Sequence, residues 1–371
     1  MRMKKILFLI HDLGHGGAEK VLVNLVNNMA PEQFDITVMA LFGGGVNAQF
    51  LKPHIRYKTV FRKPFPGNSH VMKLFSPERL HQYFIKERYD IEVAYLEGPD
   101  SRIISGCPNE DTKMISWIHC TMKSSEDLSR GFRSAKEAQK CYGKMDLMAF
   151  VSKTNRDAFL SVCPYSGHAE VLYNTNETQK ILALAQEEAE LPKAAFCWCG
   201  VGKVVPVKGF DRMIRIQKKL IENGYNGHLC ILGEGAQKAE LEKLAADCGV
   251  SDSVTFFGYQ TNPYKYVAEC DLFVCSSHSE GFSTAATEAL IVGTPVCTVE
   301  VSGMKEMLGE NNEWGIVTEN DEEALYQGIK KLLDDPKLLI HYKEKAVQRG
   351  KTFSTENTVK AVEEMLLELA R

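Results

Sequence analysis

The stretch Asp271-Leu-Phe-Val-Cys275-Ser-Ser-His-Ser-Glu280-Gly-Phe-Ser-Thr284-Ala-Ala-Thr-Glu288 is where the fold reads most directly. Its short apolar opening predicts a buried strand ending near Cys275. A polar loop with a glycine follows, and then a helix starting near Ser283 or Thr284, both good N-caps. The first amides of such a helix have no partner inside it and carry partial positive charge, which suits an anion such as a diphosphate. Two carboxylates flank the spot eight residues apart, Glu280 in the loop and Glu288 about one turn inside the helix. A carboxylate can accept several hydrogen bonds and so fix a polyol. Taken singly, Glu288 reads equally well as a solvated helix position. Glu280 reads equally well as a loop residue made comfortable by a helix N-terminus.

Working outward, the same strand-then-helix unit recurs. Apolar runs at Phe196–Gly200, His228–Leu232, Val254–Phe257 and Val296–Val299 alternate with amphipathic stretches at Glu177–Glu190, Phe210–Asn223, Ala236–Cys248 and Thr284–Val292. In the first half, strands are predicted at Ile6–Ile10, Ile36–Leu41, Ile91–Leu96, Met114–Ile118 and Leu147–Val151, with a helix over Ala18–Met29. Such alternation implies parallel sheets covered on both faces. The pattern restarts near 173–178, so the expected division is residues 1–172 and 173–352. A last helix near 353–371 could return to the first domain. Two doubly wound α/β domains facing across a cleft would bind ligands at the carboxyl ends of their strands.

The 371 residues exceed what one hydrophobic core usually supports. With 44% hydrophobic residues the chain can bury a sizeable core, so disorder is excluded. No apolar run approaches the ~18–20 residues of a membrane-spanning helix. The opening Met-Arg-Met-Lys-Lys before Ile6–Ile10 imitates a signal peptide, but His11 and Asp12 break the run too early. A cytoplasmic location is therefore expected. Eleven irregularly spaced cysteines, an odd number, form no disulfide framework. The net charge of −4 averages two halves: residues 1–172 hold 23 Lys and Arg against 18 Asp and Glu, residues 173–371 hold 21 against 30. The acidic total disfavours nucleic acid as a partner.

Other segments carry chemistry. Cys199-Gly-Val-Gly202-Lys203-Val-Val-Pro206-Val-Lys208-Gly209-Phe-Asp211 places two lysines in a Gly- and Pro-containing loop after a strand. Lysine binds phosphate as a point charge, although the order is wrong for a Walker loop and each lysine taken singly reads more readily as an ordinary surface residue. Gly14-His15-Gly16-Gly17 with Glu19, and Gly233-Glu-Gly235, are glycine turns that let a backbone approach a ligand closely. His119 ends an apolar run, where it reads equally well as a cleft-facing residue or as a satisfied structural histidine. Cys197-Trp-Cys199 lacks a second pair at ligand spacing and reads as core. The chain contains no Asp-x-Asp, so a metal-bridged nucleotide site built on that motif is unsupported. The stretch 52–65, Lys52-Pro-His-Ile-Arg56-Tyr-Lys58-Thr-Val-Phe-Arg62-Lys63-Pro-Phe65, mixes basic and apolar residues and suits either an anionic membrane surface or a solvated loop beside the sheet.

Together these segments resemble the large retaining glycosyltransferase family usually numbered four, of GT-B fold. Glu280-x7-Glu288 resembles its paired-glutamate signature, and Gly202-Lys203 to Phe210-Asp211 resembles its Gly-Arg…Lys-Gly-Phe-Asp segment. Phe257-Gly258, Asn262-Pro263, Gly293-Thr-Pro-Val296 and Gly303–Leu308 fall in family order. In the first half Gly16-Gly17-Ala18-Glu19, His119, Val151-Ser152 and Tyr173-Asn174 are similar in the same way. The resemblance implies that Lys203, Lys208 and the amides of Ser283 and Thr284 hold the diphosphate of a nucleotide-sugar. It implies that Glu288 binds the ribose, that Glu280, Gly281 and Phe282 bind the donor sugar, and that the loop carrying Tyr259 borders the base. Gly16 and Gly17 would close over the diphosphate, and His119 would contact the sugar near the acceptor. Glu280 and His119 are the implied catalytic pair, and no metal or other cofactor is expected. Family frequency implies a UDP-sugar donor. The implied acceptor is a saccharide, lipid-linked, in bacterial surface polysaccharide assembly, which would put the protein at the inner face of the membrane. The family has arginine where this chain has Lys203, so the bidentate fork is lost while the charge is kept. A GT-B sugar-nucleotide epimerase, a glycogen-type phosphorylase and a non-catalytic sugar-binding partner subunit are the alternatives. Length and the lack of a pyridoxal-lysine motif disfavour the phosphorylase.

Overall fold

The computed structural model describes residues 2–14 and 16–370, apart from the side chain of Ser69; His15, in the first glycine turn, lies outside the described residues. The chain divides into two compact units, residues 1–176 with 355–371 and residues 177–354.

The first unit is a parallel sheet of β1 (Lys4–Ile10), β2 (Phe34–Phe42), β3 (Arg56–Phe61), β4 (Ile91–Ala94), β5 (Lys113–Ile118), β6 (Leu147–Phe150) and β7 (His168–Val171), in the order β3-β2-β1-β4-β5-β6-β7. The second is a parallel sheet of β8 (Phe196–Val201), β9 (Gly227–Leu232), β10 (Val254–Gly258), β11 (Leu272–Cys275), β12 (Val296–Val299) and β13 (Ile316–Thr318), in the order β10-β9-β8-β11-β12-β13. Each order runs outward in one direction and then reverses, between β1 and β4 in the first sheet and between β8 and β11 in the second. At such a reversal the loops leaving neighbouring strands diverge to opposite faces and open a crevice at their carboxyl ends.

The central strands are apolar because helices cover both faces. Ile6 to Ile10, Val93, Trp198, Leu229 and Leu272 are all fully buried. The helix Thr284–Val292 begins and ends for local reasons: the Ser283 side chain accepts from the Ala286 amide at 3.3 Å, and Gly293 takes the left-handed φ of 86° that stops it. The C-terminal helix Thr355–Leu369 packs on the first unit. Glu363 accepts from the Ala30 amide at 2.6 Å, and Thr355 Oγ1 donates to the Asn176 carbonyl at 2.6 Å. Those contacts with Asn176, and the Asn24 amide on the Thr175 carbonyl at 3.2 Å, hold the chain in the first unit to residue 176 rather than 172.

The segment 52–65 differs from its reading as a basic loop. Residues Arg56–Phe61 form the edge strand β3, paired to β2. Arg56 reaches Asp35 at 3.1 Å and Glu87 at 3.3 Å, and Lys58 also pairs with Glu87. Two of its basic groups are thus neutralised within the unit. Arg62 and Lys63 stay exposed.

Candidate functional site

In the second unit, the order reversal sets the loop after β8 beside the loop after β11. The carbonyl of Val207 accepts from the His278 amide at 2.8 Å, and Ser276 Oγ donates to the Lys208 carbonyl at 3.0 Å. Gly209 makes the approach possible. Its φ is 65°, and a Cβ there would lie 2.3 Å from the Ser276 carbonyl oxygen. A second stitch explains the Gly233-Glu-Gly235 turn: a Cβ on Gly233 would sit 1.9 Å from the Gly202 carbonyl oxygen.

This packing brings Lys208 and Glu280 into contact. Lys208 Nζ lies 2.5 Å from Glu280 Oε1, and Ser277 Oγ donates to the same oxygen at 2.6 Å. Cys275 Sγ approaches it at 4.0 Å. Burial by itself would lower the Lys208 pKa, but the Glu280 carboxylate outweighs it and the ammonium is held above its ordinary value. Three residues past Glu280, Ser283 caps the helix and Thr284 is its first residue. The two loops together therefore set a cation, a carboxylate and a helix N-terminus side by side.

Glu288 is no solvated helix position. It is buried, and Tyr264 Oη donates to its Oε1 at 3.3 Å. Phe282 is buried, with its ring 5.8 Å from that of Phe353, and Gly281 is half-buried beside it. Tyr259 stands exposed on the loop after β10, and Lys203 is exposed on the loop after β8. Cys197 and Cys199 are both buried and form no disulfide, on the face of β8 opposite Phe196 and Trp198.

The first unit gathers a different set at its own reversal. Gly16 is the N-cap of the helix Gly17–Asn28, with Glu19 in its first turn. The Gly14 amide donates to Asp12 Oδ1 at 2.7 Å, and Asp12 Oδ2 meets His11 Nδ1 at 2.8 Å. His119 follows β5. Its amide donates to Glu97 Oε2 at 2.9 Å, and its ring packs against Tyr95 at 4.8 Å and Trp117 at 6.1 Å. Desolvation pushes the imidazole down to about 4 against a weaker opposing pull from Glu97, so it is neutral at pH 7. Asp100, fully buried nearby, is raised well above the carboxylate range by desolvation and by the Glu97 charge.

The supporting residues were not read from the sequence. Ser276 and Ser277 lie inside the decisive stretch, and Tyr264 directly follows Asn262-Pro263, but no spacing rule pairs Tyr264 with a helix 24 residues on. Glu97 beside His119 had no signal at all.

Residues 185–349 match the family described as glycosyl transferases group 1. They are a group 1 glycosyl transferase domain, and the chain is a glycosyltransferase. The transferase is 29% identical over 368 residues to a Campylobacter jejuni protein, N-acetylgalactosamine-N,N'-diacetylbacillosaminyl-diphospho-undecaprenol 4-alpha-N-acetylgalactosaminyltransferase, covering 95% of this chain and 96% of that one. Its fold is GT-B. A sucrose-phosphate synthase from Thermosynechococcus elongatus superposes with a TM-score of 0.80 at 18% identity, covering 99% of each chain. The Anabaena protein HepE, solved in complex with UDP-glucose, gives 0.76 at 18% identity, over 98% of the transferase and all of HepE. No helix among the described residues of the transferase is long and apolar enough to cross a membrane.

Proposed function

We propose that this glycosyltransferase moves a hexose or N-acetylhexosamine from a UDP-sugar to a lipid-linked saccharide, with retention of anomeric configuration, in bacterial surface polysaccharide assembly. The observation that carries the reading is the Lys208–Glu280 contact beside the helix start at Ser283. The named activity of the Campylobacter relative supports the acceptor class, and the UDP-glucose bound to HepE supports the donor class.

The leaving group is a diphosphate whose negative charge grows as the bond to the sugar breaks. Lys208, Lys203 and the amides of Ser283 and Thr284 supply positive potential there. Without donor, Lys208 is neutralised by Glu280. Donor binding exchanges partners: the ammonium turns to the phosphate, and Glu280 is released to accept hydrogen bonds from the donor sugar, still held by Ser277. Glu288, fixed by Tyr264, accepts from the ribose hydroxyls. Phe282 and Gly281 shape the sugar side, and Tyr259 borders the base. The acceptor oxygen attacks the anomeric carbon on the face the phosphate leaves. The carbon–phosphate oxygen bond breaks, the new glycosidic bond forms, and the acceptor proton passes to the departing phosphate oxygen. None of these steps calls on a metal. Lys203 in place of the family arginine gives a point charge rather than a fork, which weakens the hold on that phosphate.

The lipid part of the acceptor lies at the inner membrane surface, where exposed Arg62 and Lys63 contact anionic headgroups at ~1 kcal/mol each. Sedimentation with anionic vesicles at low salt checks this, and wild-type protein left in the supernatant would refute it. The transfer itself is tested by incubating the protein with UDP-, GDP- and ADP-sugars and polyprenyl-diphosphate glycans, following nucleotide diphosphate release and product anomer by NMR. UDP release only with acceptor, and an α-linked product from an α-donor, is expected. Isomerised donor without acceptor would instead mark an epimerase, and an inverted product would end the retaining mechanism.

A further inference from the structure

Away from the donor loops, the first unit buries a cluster that neither the fold nor the transfer reaction requires. Glu92 lies on β4, a central strand paired to β1 and β5, and its neighbours Ile91, Val93 and Ala94 are wholly buried. Glu92 is itself 0% exposed. His81, on the helix Pro77–Phe84, is 3% exposed and brings Nε2 to 2.7 Å from Glu92 Oε2. Cys107, in the turn after the helix Pro99–Ile104, completes the group. One ligand atom from each of the three residues lies within 4.8 Å of the others.

A carboxylate in the middle of a sheet is costly unless its charge and both oxygens are satisfied. Here Oε2 has the imidazole, while Oε1 is buried and has no partner among the described residues. We infer that His81, Glu92 and Cys107 are the ligands of a single thiophilic divalent cation, of the zinc class, that pins the helix Pro77–Phe84 and the Cys107 turn to the centre of the sheet. Imidazole, carboxylate and thiolate together match zinc, whereas magnesium and calcium want oxygen alone. Neutral imidazole with carboxylate and thiolate carries two negative charges, which a dication cancels inside the core. Zinc bonds of about 2.0–2.3 Å set ligand atoms about 3.3–3.8 Å apart in a tetrahedron, so His81 Nε2 and Glu92 Oε2, now 2.7 Å apart, part slightly to admit the ion while the Cys107 sulfur stays within reach. On binding, the Cys107 thiol proton and the proton that His81 shares with Glu92 both leave to solvent. Cys107 is only half-buried, which gives the ion a way in. A fourth position remains for water.

The test uses the full-length, tag-free, metal-stripped protein. Zinc is titrated against a chromophoric chelator, with Cys107→Ser and His81→Gln in parallel. One equivalent should bind, and each variant should bind it about 100-fold or more weakly, since even partners that merely orient a ligand are worth 10–100-fold. Because a variant in the core could misfold, a second measurement uses the wild type alone. Iodoacetamide labelling is followed by mass spectrometry at Cys107 and at exposed Cys120. One equivalent of zinc should slow labelling of Cys107 at least about 10-fold and leave Cys120 unchanged. Equal zinc affinity in wild type and Cys107→Ser, or Cys107 labelling unchanged by zinc, overturns the assignment.

Discussion

The two units place chemistry at the same point of the same topology, the crevice beside a reversal in strand order, yet they equip it oppositely. In the second unit the charged groups are matched internally: Lys208 to Glu280, Glu280 to Ser277, Glu288 to Tyr264. In the first, polar atoms gather at the strand ends without protein partners. Among the described residues, His119 Nε2, Tyr95 Oη and Trp117 Nε1 are buried and unpartnered, whereas the second unit has only Asn262 Oδ1 of this kind. A matched set holds its groups in place until a ligand exchanges for one of the partners, as the donor does for Lys208 and Glu280 in the proposed reaction. An unmatched set depends on what arrives to complete it. The difference teaches that the same topology can hold a set of groups matched within the protein or a set with buried polar atoms left open.

The contrast can be broken most sharply at the matched pair. Glu280→Ala or Lys208→Ala should each lower turnover about 10²–10³-fold in a nucleotide-release assay, because each removes a group that acts on the donor in the transition state. Retention of near-native rates in both would mean the pair is only structural. Next in size, Glu288→Gln keeps shape but loses the charge, and should weaken donor binding about 10–100-fold by calorimetry while kcat moves little. An unchanged donor affinity would take Glu288 out of the ribose site.

Acid titration probes the first unit. His119 is held near 4 when folded and about 6.5 in the unfolded chain. The unfolded state therefore takes up the proton first, so this contribution to stability is whole above about pH 6.5 and is lost as pH falls toward 4. The melting temperature should drop less between pH 7 and pH 5 in His119→Gln than in wild type, and an identical drop would show that the imidazole is not desolvated. The smallest effect is expected at the cap. Ser283→Ala should cost about 1 kcal/mol and lower Tm by about 2–4 °C in a scanning calorimeter.

Where the strands are central, they were legible. Phe196–Gly200, Leu272–Cys275 and Val296–Val299 were read within a residue of their observed limits because both faces are buried and the apolar run is unbroken. The strands that were not read, Arg56–Phe61, His168–Val171 and Ile316–Thr318, all lie at sheet edges. There most side chains are only half-buried, so the apolar signal is diluted, and in Arg56–Phe61 two basic residues masked it altogether. The helix Glu177–Glu190 came out shorter, as Thr178–Ala185, because its acidic end has no apolar face to bury.

By itself the sequence determined what is local. It set the alternation that makes two parallel α/β units, the serine that starts the helix at Thr284, the glycine that ends it, and the eight-residue spacing of Glu280 and Glu288. Only the tertiary structure decided which distant groups meet. Lys208 reaches Glu280 across 72 positions, Tyr264 reaches Glu288 across 24, and His81, Glu92 and Cys107 converge from a helix, a strand and a turn. Those meetings follow from the order in which strands enter the sheets and from glycines that let loops touch. Strand order is a property of the whole packed chain, and no stretch of local pattern carries it.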